Sequence, residues 1–317
     1  MQLSGIHHVT AVCADARENA RFYTLVMGMR LVKRTVNQDD VSAYHLYYGD
    51  NVGSPGTALT FFDWNAPPET RGTRSVSQTG LRVAGTEALE WWQTHLCEQN
   101  VQAGEILERD GTFTLDFEDT QGQRLCLIDA GGQGDTPIPW PQSPVPTQFQ
   151  VRGLGPVVLS VPELGRTNAI LTTALEMREV RTYASPRNSK NTIHVYEMGA
   201  GGPHAEIHVA VEPDLAPARP GSGGVHHVAF RAPNREAHEA WAEKLFSIGV
   251  RHSGEIDRFY FRSLYFREPN GILFEIATDD PGFAVDEPVE SLGEKVVLPP
   301  FLEPQRERIL AGLRPID

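Results

Sequence analysis

Apolar positions along the chain follow two periods in a fixed succession. Residues 3–14 (LSGIHHVTAVCA) form an apolar strand, and Asp15 followed by Glu18 reads as a capping box that opens a helix. Ala20, Tyr23 and Met27 then recur at helical spacing, and Gly28 stands where a left-handed helix end belongs. Three strand-like runs follow, Met29–Val36, Ala43–Tyr48 and Thr57–Phe62, separated by the polar Asn37-Gln38-Asp39-Asp40 and by Gly49-Asp50-Asn51. The unit is βαβββ.

The same succession returns three times. A strand at Thr79–Val83 leads to a helix capped by Thr86 with Leu89, Trp92 and Leu96 on one face, then strands near Phe113–Phe117 and Arg124–Ile128. Pro156–Val161 precedes a helix carrying Ile170, Leu171, Ala174 and Leu175, then strands Arg178–Tyr183, Thr192–Met198 and Ala205–Val211. Val225–Phe230 precedes a helix capped by Asn234 with Ala237, Trp241, Leu245 and Ile248, then strands near Val250–Glu255, Arg262–Arg267 and Leu273–Ala277. From His8 to Thr79, Pro156 and His227 the spacings are 71, 77 and 71 residues, which is a repeat rather than coincidence. One βαβββ unit leaves a concave sheet face uncovered, so units must pair. The expectation is an α+β fold of four modules forming two paired barrels. Proline-rich Thr136–Pro146 divides it into domains 1–145 and 146–279, with a tail, 280–317, in which Val297–Leu302 is extended and Glu303–Leu313 helical.

Composition narrows the function. With 28 Lys+Arg against 41 Asp+Glu the net charge is −13, which disfavours nucleic acid and anionic membrane as partners. Neither a long apolar span nor a basic-then-apolar leader is evident, and three scattered cysteines fit a reducing compartment, so a cytoplasmic, homo-oligomeric protein acting on a small molecule is expected.

The chemistry concentrates at the two ends. The first and fourth modules open with histidine pairs, Gly5-Ile6-His7-His8-Val9 and Gly224-Val225-His226-His227-Val228. Successive side chains on a strand face opposite ways, so one histidine of each pair can enter a shared cavity, and spacing alone does not say which. The closing strand of module four sets Glu275 in an apolar run, and a buried carboxylate needs a cation, a metal or protonation. Two histidines and a carboxylate would form a facial triad with the opposite positions open.

These residues resemble the vicinal oxygen chelate superfamily, whose modules open with an apolar-histidine-hydrophobic strand and close on Gly-x-x-x-Glu, here Gly271 to Glu275. The resemblance spans about residues 3–280 and implies His8, His227 and Glu275 as metal ligands, with His7 and His226 behind them or facing substrate. If opening-strand ligands come from paired modules, module one pairs with four and two with three. That arrangement, with Lys33–Asp40, Tyr44–Asp50 and Leu298-Pro299-Pro300, resembles the branch of ring-cleaving dioxygenases acting on hydroquinones. The branch implies Thr10 beside the metal, Arg258 near the substrate oxygens and Tyr265 beside the ring.

Thr60 aligns with Glu275 and is a poor fourth ligand, which keeps metal positions open for substrate and O2. The resemblance therefore implies an Fe(II)-dependent extradiol-type dioxygenase acting on a hydroquinone-like or catechol-like aromatic, with Mn(II) or Zn(II) as alternative metals. The competing readings are a glyoxalase-like isomerase or lyase, using its metal as a Lewis acid, and a non-catalytic aromatic binder. Two further features carry simpler readings: His45, which could reach the cavity from its strand, as a core or solvated residue, and His204, Glu206 and His208 as a pattern that imitates a second metal site without an opening-strand histidine.

Overall fold

The structure, a computed structural model, describes residues 2–316. The first repeat comprises β1 (Ile6–Cys13), α1 (Ala16–Arg21), β2 (Arg30–Val36), β3 (Tyr44–Gly49) and β4 (Ala58–Asp63). The second comprises β5 (Ser75–Val83), α2 (Thr86–Glu98), β6 (Ala103–Arg109), β7 (Thr112–Glu118) and β8 (Arg124–Asp129). The third has β9 (Leu154–Val161), α3 (Gly165–Ala169), β10 (Arg178–Ala184), β11 (Thr192–Glu197) and β12 (Glu206–Val211). The fourth has β13 (Val225–Ala232), α4 (Arg235–Ser247), β14 (His252–Asp257), β15 (Arg262–Arg267) and β16 (Leu273–Thr278), and α5 (Arg306–Gly312) lies in the tail.

Local chemistry explains the helix ends. The Asp15 carboxylate accepts the Glu18 backbone N–H at 2.9 Å, and Asn234 does the same for Ala237. Thr86 proves to be the first residue of α2 rather than its cap, which is Gly85 at φ 83°. Both α1 and α3 run on into a π turn, at Phe22–Val26 and Ile170–Ala174, a local widening that apolar spacing does not reveal. Gly28, at φ 63°, is needed where expected: a Cβ there would also stand 2.5 Å from Ser143 Oγ.

Two eight-stranded sheets result. Their orders are β14-β15-β16-β13-β1-β4-β3-β2 and β10-β11-β12-β9-β5-β8-β7-β6. The first sheet thus joins the first and fourth repeats, with β1 antiparallel to β13, and the second joins the second and third, with β5 antiparallel to β9. One apolar core runs through both, holding the fully buried Trp92 and Trp241 of α2 and α4, although Ile248, expected on the inner face of its helix, is exposed. Edge strands β6, β10 and β14 are half exposed and carry charges, which discourages pairing with another chain. The fourth edge, β2, is buried because the tail crosses it: Arg34 bridges to Val296, and Lys33 ion-pairs with Asp286 and Glu287. Among the described residues no helix is long and apolar enough to span a membrane.

Candidate metal centre

The strand pairing sets the site. All eight residues of β1 are buried, one face toward the core and the other toward a cavity, so its polar members cannot be solvated by bulk water. Thr10 is paired with His227 across to β13 and with Thr60 on β4, while Ala229 of β13 is paired with Glu275 of β16. His8 lies two residues before Thr10 and His227 two residues before Ala229, so the pleat turns both rings to the side of Glu275. His8 Nε2, His227 Nε2 and Glu275 Oε2 lie 3.1, 3.0 and 3.2 Å apart around the triangle. All three side chains are buried.

That triangle fits a metal ion. Donors on one face of an octahedron with bonds of about 2.1–2.2 Å stand about 3.0–3.1 Å apart, whereas a tetrahedral set would stand about 3.4–3.6 Å apart. A proton can occupy only one edge of the triangle; a cation within it satisfies all three. Glu275 Oε2 is correspondingly left without a hydrogen-bond donor, although Oε1 accepts from Ser263 Oγ. Burial pushes the Glu275 carboxyl up, but the adjacent imidazoles outweigh this and hold it well below the usual range.

Each inward histidine is backed by its chain neighbour. His8 Nδ1 and His7 Nδ1 are 2.8 Å apart, as are His227 Nδ1 and His226 Nδ1. Burial first, and then the neighbouring ring, lower His7 and His226 to about 3, so both remain neutral. With His8 and His227 protonated on Nδ1, each donates to its neighbour and turns a bare Nε2 toward Glu275.

The remaining expected residues surround this centre. Thr10 Oγ1 lies 2.8 Å from Thr60 Oγ1, which in turn contacts His45 Nε2 at 2.9 Å, and His45 Nδ1 meets the Tyr47 hydroxyl at 2.8 Å. Thr60 thus spends its hydroxyl on neighbours beside the triad. His45 lines the same small cavity, a placement its strand position left undetermined. Arg258 and Tyr265 line it too, with the guanidinium carbon 5.3 Å from the Tyr265 ring centre. Burial pushes the Tyr265 phenol up, which keeps it protonated.

Three participants escaped the sequence reading. Asp39 grips Arg258 through both carboxylate oxygens, at 3.0 and 2.7 Å. Phe261 packs against the rings of His7 and His8, with centres 5.3 and 5.2 Å away. Ser263 supports Glu275; its position two residues before Tyr265 on one strand face was the available signal. The cavity itself is about 30 Å³, room for about one or two waters, so an aromatic ring enters only when side chains yield.

Three buried donors that could hold a metal ion, set between paired βαβββ units, describe a fold class built on paired repeats. The chain belongs to the Glyoxalase/Bleomycin resistance protein/Dioxygenase superfamily, which matches residues 5–127 and 153–276. It is 47% identical over its full length, and over the full length of the relative, to "Putative ring-cleaving dioxygenase MhqA" of Bacillus subtilis. It is 30% identical to the chlorohydroquinone/hydroquinone 1,2-dioxygenase of Sphingobium indicum, across 98% of this chain and 95% of that one. A crystal structure of a "putative dioxygenase" from Bacillus subtilis superposes with a TM-score of 0.90 at 35% identity, covering 100% and 98% of the two chains.

Proposed function

We propose that this protein is a ring-cleaving dioxygenase that adds both atoms of O2 to a hydroquinone-like or catechol-like substrate, using Fe(II) held by His8, His227 and Glu275. The observation that carries this reading is the donor triangle, whose edges suit one face of an octahedron and so leave adjacent positions open. Two relatives whose names specify ring cleavage or hydroquinone oxidation, similar along nearly the entire chain, support the same substrate class. Bound iron would supply the one-electron chemistry that lets triplet O2 react with a singlet phenol.

The chain's own groups have separate tasks in this reading. Neutral His7 and His226 hold the ligand rings in the correct tautomer. Arg258 stabilises a substrate phenolate, and Tyr265, kept protonated by burial, donates a hydrogen bond beside the ring. Thr10, Thr60, His45 and the Tyr47 hydroxyl form a hydrogen-bonded chain that stiffens the wall beside the triad. Tyr47, Phe62 and Phe261 enclose the ring and exclude water.

The test is oxygen uptake by protein loaded with Fe(II) under argon, using hydroquinone, chlorohydroquinone and catechol. One O2 consumed per ring opened is the expected result, and no uptake with any of the three overturns the assignment. A second prediction concerns Asp39, which anchors Arg258 at the cavity mouth while itself 71% exposed. Exposed ion pairs contribute up to about 1 kcal/mol, so Asp39→Ala is expected to raise KM by up to about fivefold and to change kcat less. Steady-state kinetics across substrate concentrations measures the split.

A further inference from the structure

The third residue of each closing strand occupies the position that Glu275 holds: Thr60, Cys126, His208 and Glu275 in β4, β8, β12 and β16. In the second sheet Cys126 is paired with Gly80 and His208 with Val158. Two residues earlier on the opening strands stand Gln78 and Pro156, where the first sheet has His8 and His227. Gln78, Cys126, Pro156 and His208 all line one cavity of about 450 Å³. The second body therefore carries a counterpart of the metal centre, far larger and with its ligands replaced.

Its polar groups form a closed network. His208 Nε2 donates to Glu206 at 2.8 Å, which leaves His208 Nδ1 to accept the Tyr183 hydroxyl at 2.9 Å. Arg181 reaches both Glu206 oxygens at 3.0 Å and Asp110 at 2.7 Å, while Arg109 is committed to Asp116 at 2.6 Å. Both nitrogens of His208 and both oxygens of Glu206 are thus already engaged, which removes the donor set a metal would need. The lining carboxylates Asp110, Glu197 and Glu206 outnumber the two guanidiniums, so an anion is disfavoured. The Tyr183 oxygen, having donated its proton to His208, keeps its lone pairs for an incoming O–H, and Ile128, Pro156 and Val158 supply apolar wall. A volume in the range of small-molecule pockets, with one apolar wall and a mainly polar lining whose charges are largely paired with one another, describes a ligand site for an uncharged polar molecule.

We propose that this cavity is a second, metal-free binding site for an uncharged hydroxylated aromatic ring, which donates its hydroxyl to Tyr183. The inference rests on the cavity's own network and holds whether or not the triad cleaves rings. The test is calorimetric titration of the full-length protein with hydroquinone under argon, with cis,cis-muconate as the anionic comparator. Ala200→Trp places an indole in the cavity from the loop after β11, and Tyr183→Phe removes the acceptor. The number of hydroquinones bound per chain is expected to fall by one in Ala200→Trp, and affinity at that site to weaken about tenfold in Tyr183→Phe. Oxygen uptake at the triad should change in neither, and muconate should not compete. Unchanged stoichiometry in Ala200→Trp together with unchanged affinity in Tyr183→Phe overturns the proposal, as does displacement of hydroquinone from this site by muconate. Should the triad prove inactive, the loss of one bound ring in Ala200→Trp still reads out the second cavity alone.

Discussion

Glu275→Gln is expected to abolish ring cleavage by about 10³-fold or more, because loss of a metal removes the reaction rather than slowing one step. The substitution keeps the shape of the side chain, and its carbonyl oxygen can still accept from Ser263. What it removes is the anionic oxygen, buried without a donor and facing two imidazole nitrogens at 3.0 and 3.1 Å. An amide NH2 at that place can donate to a bare imidazole nitrogen, so the metal-free variant should melt no lower than metal-free natural protein. The contrast appears on adding Fe(II) under argon. Natural protein gains stability according to how far the metal exceeds its dissociation constant, about 2.7 kcal/mol at a hundredfold excess, and the variant gains little. Metal analysis after desalting, paired thermal melts and oxygen uptake together check this. A variant that retains one iron per chain and full uptake would remove Glu275 from the ligand set.

Much of this centre was legible because a repeat exposes its own exceptions. Four units with common helix stripes make the histidine pairs of the first and last opening strands stand out, and Glu275 stands out as a carboxylate in an apolar strand. Those signals are local. Asp39 and Arg258 are separated by 219 positions, and no spacing rule links an acidic loop to a distant arginine. Strand β6 was missed because AGEILER is a half-exposed edge whose charges mask any two-residue alternation. The repeat spacing also set Thr79 opposite His8, whereas the strand pairing sets Gln78 there. The offset shows only in the pairing, where Gly80 faces Cys126 as Thr10 faces Thr60, so that Gln78 stands two residues earlier as His8 does. The large second cavity follows from the same pairing and was accordingly out of reach of spacing alone.

Lys33→Ala is expected to be the most destabilising single change outside the hydrophobic core. Lys33 is fully buried on edge strand β2, and its ammonium pairs with Asp286 at 2.7 Å and with Glu287. It also sits over the Tyr260 ring, 4.8 Å from the centre, while the Tyr260 hydroxyl donates to Asp286. Removing the ammonium leaves two carboxylates close together and largely shielded from water, a situation that costs about 3–5 kcal/mol, a large share of the roughly 5–15 kcal/mol by which a domain is stable. The strain falls on the tail, whose hold on β2 also includes the Arg30 bond to the Glu290 carbonyl, the Arg34 to Val296 bridge, the packing of Phe283 and Leu292, and that of Leu298, Leu302 and Ile309 around Val36. The expected result is faster proteolytic removal of residues after about 280 and a lower melting temperature. Lys33→Met combined with Asp286→Asn and Glu287→Gln discriminates the cause, since it removes the charges together and should recover most of the loss. Phe283 packs on Tyr47, and Tyr47 contacts Phe261 over the histidines, so release of the tail loosens the wall of the aromatic cavity. Loss of protease resistance should therefore coincide with a rise in KM, and a Lys33→Ala protein with unchanged melting temperature and intact tail would show that the ion pairs on β2 hold nothing in place.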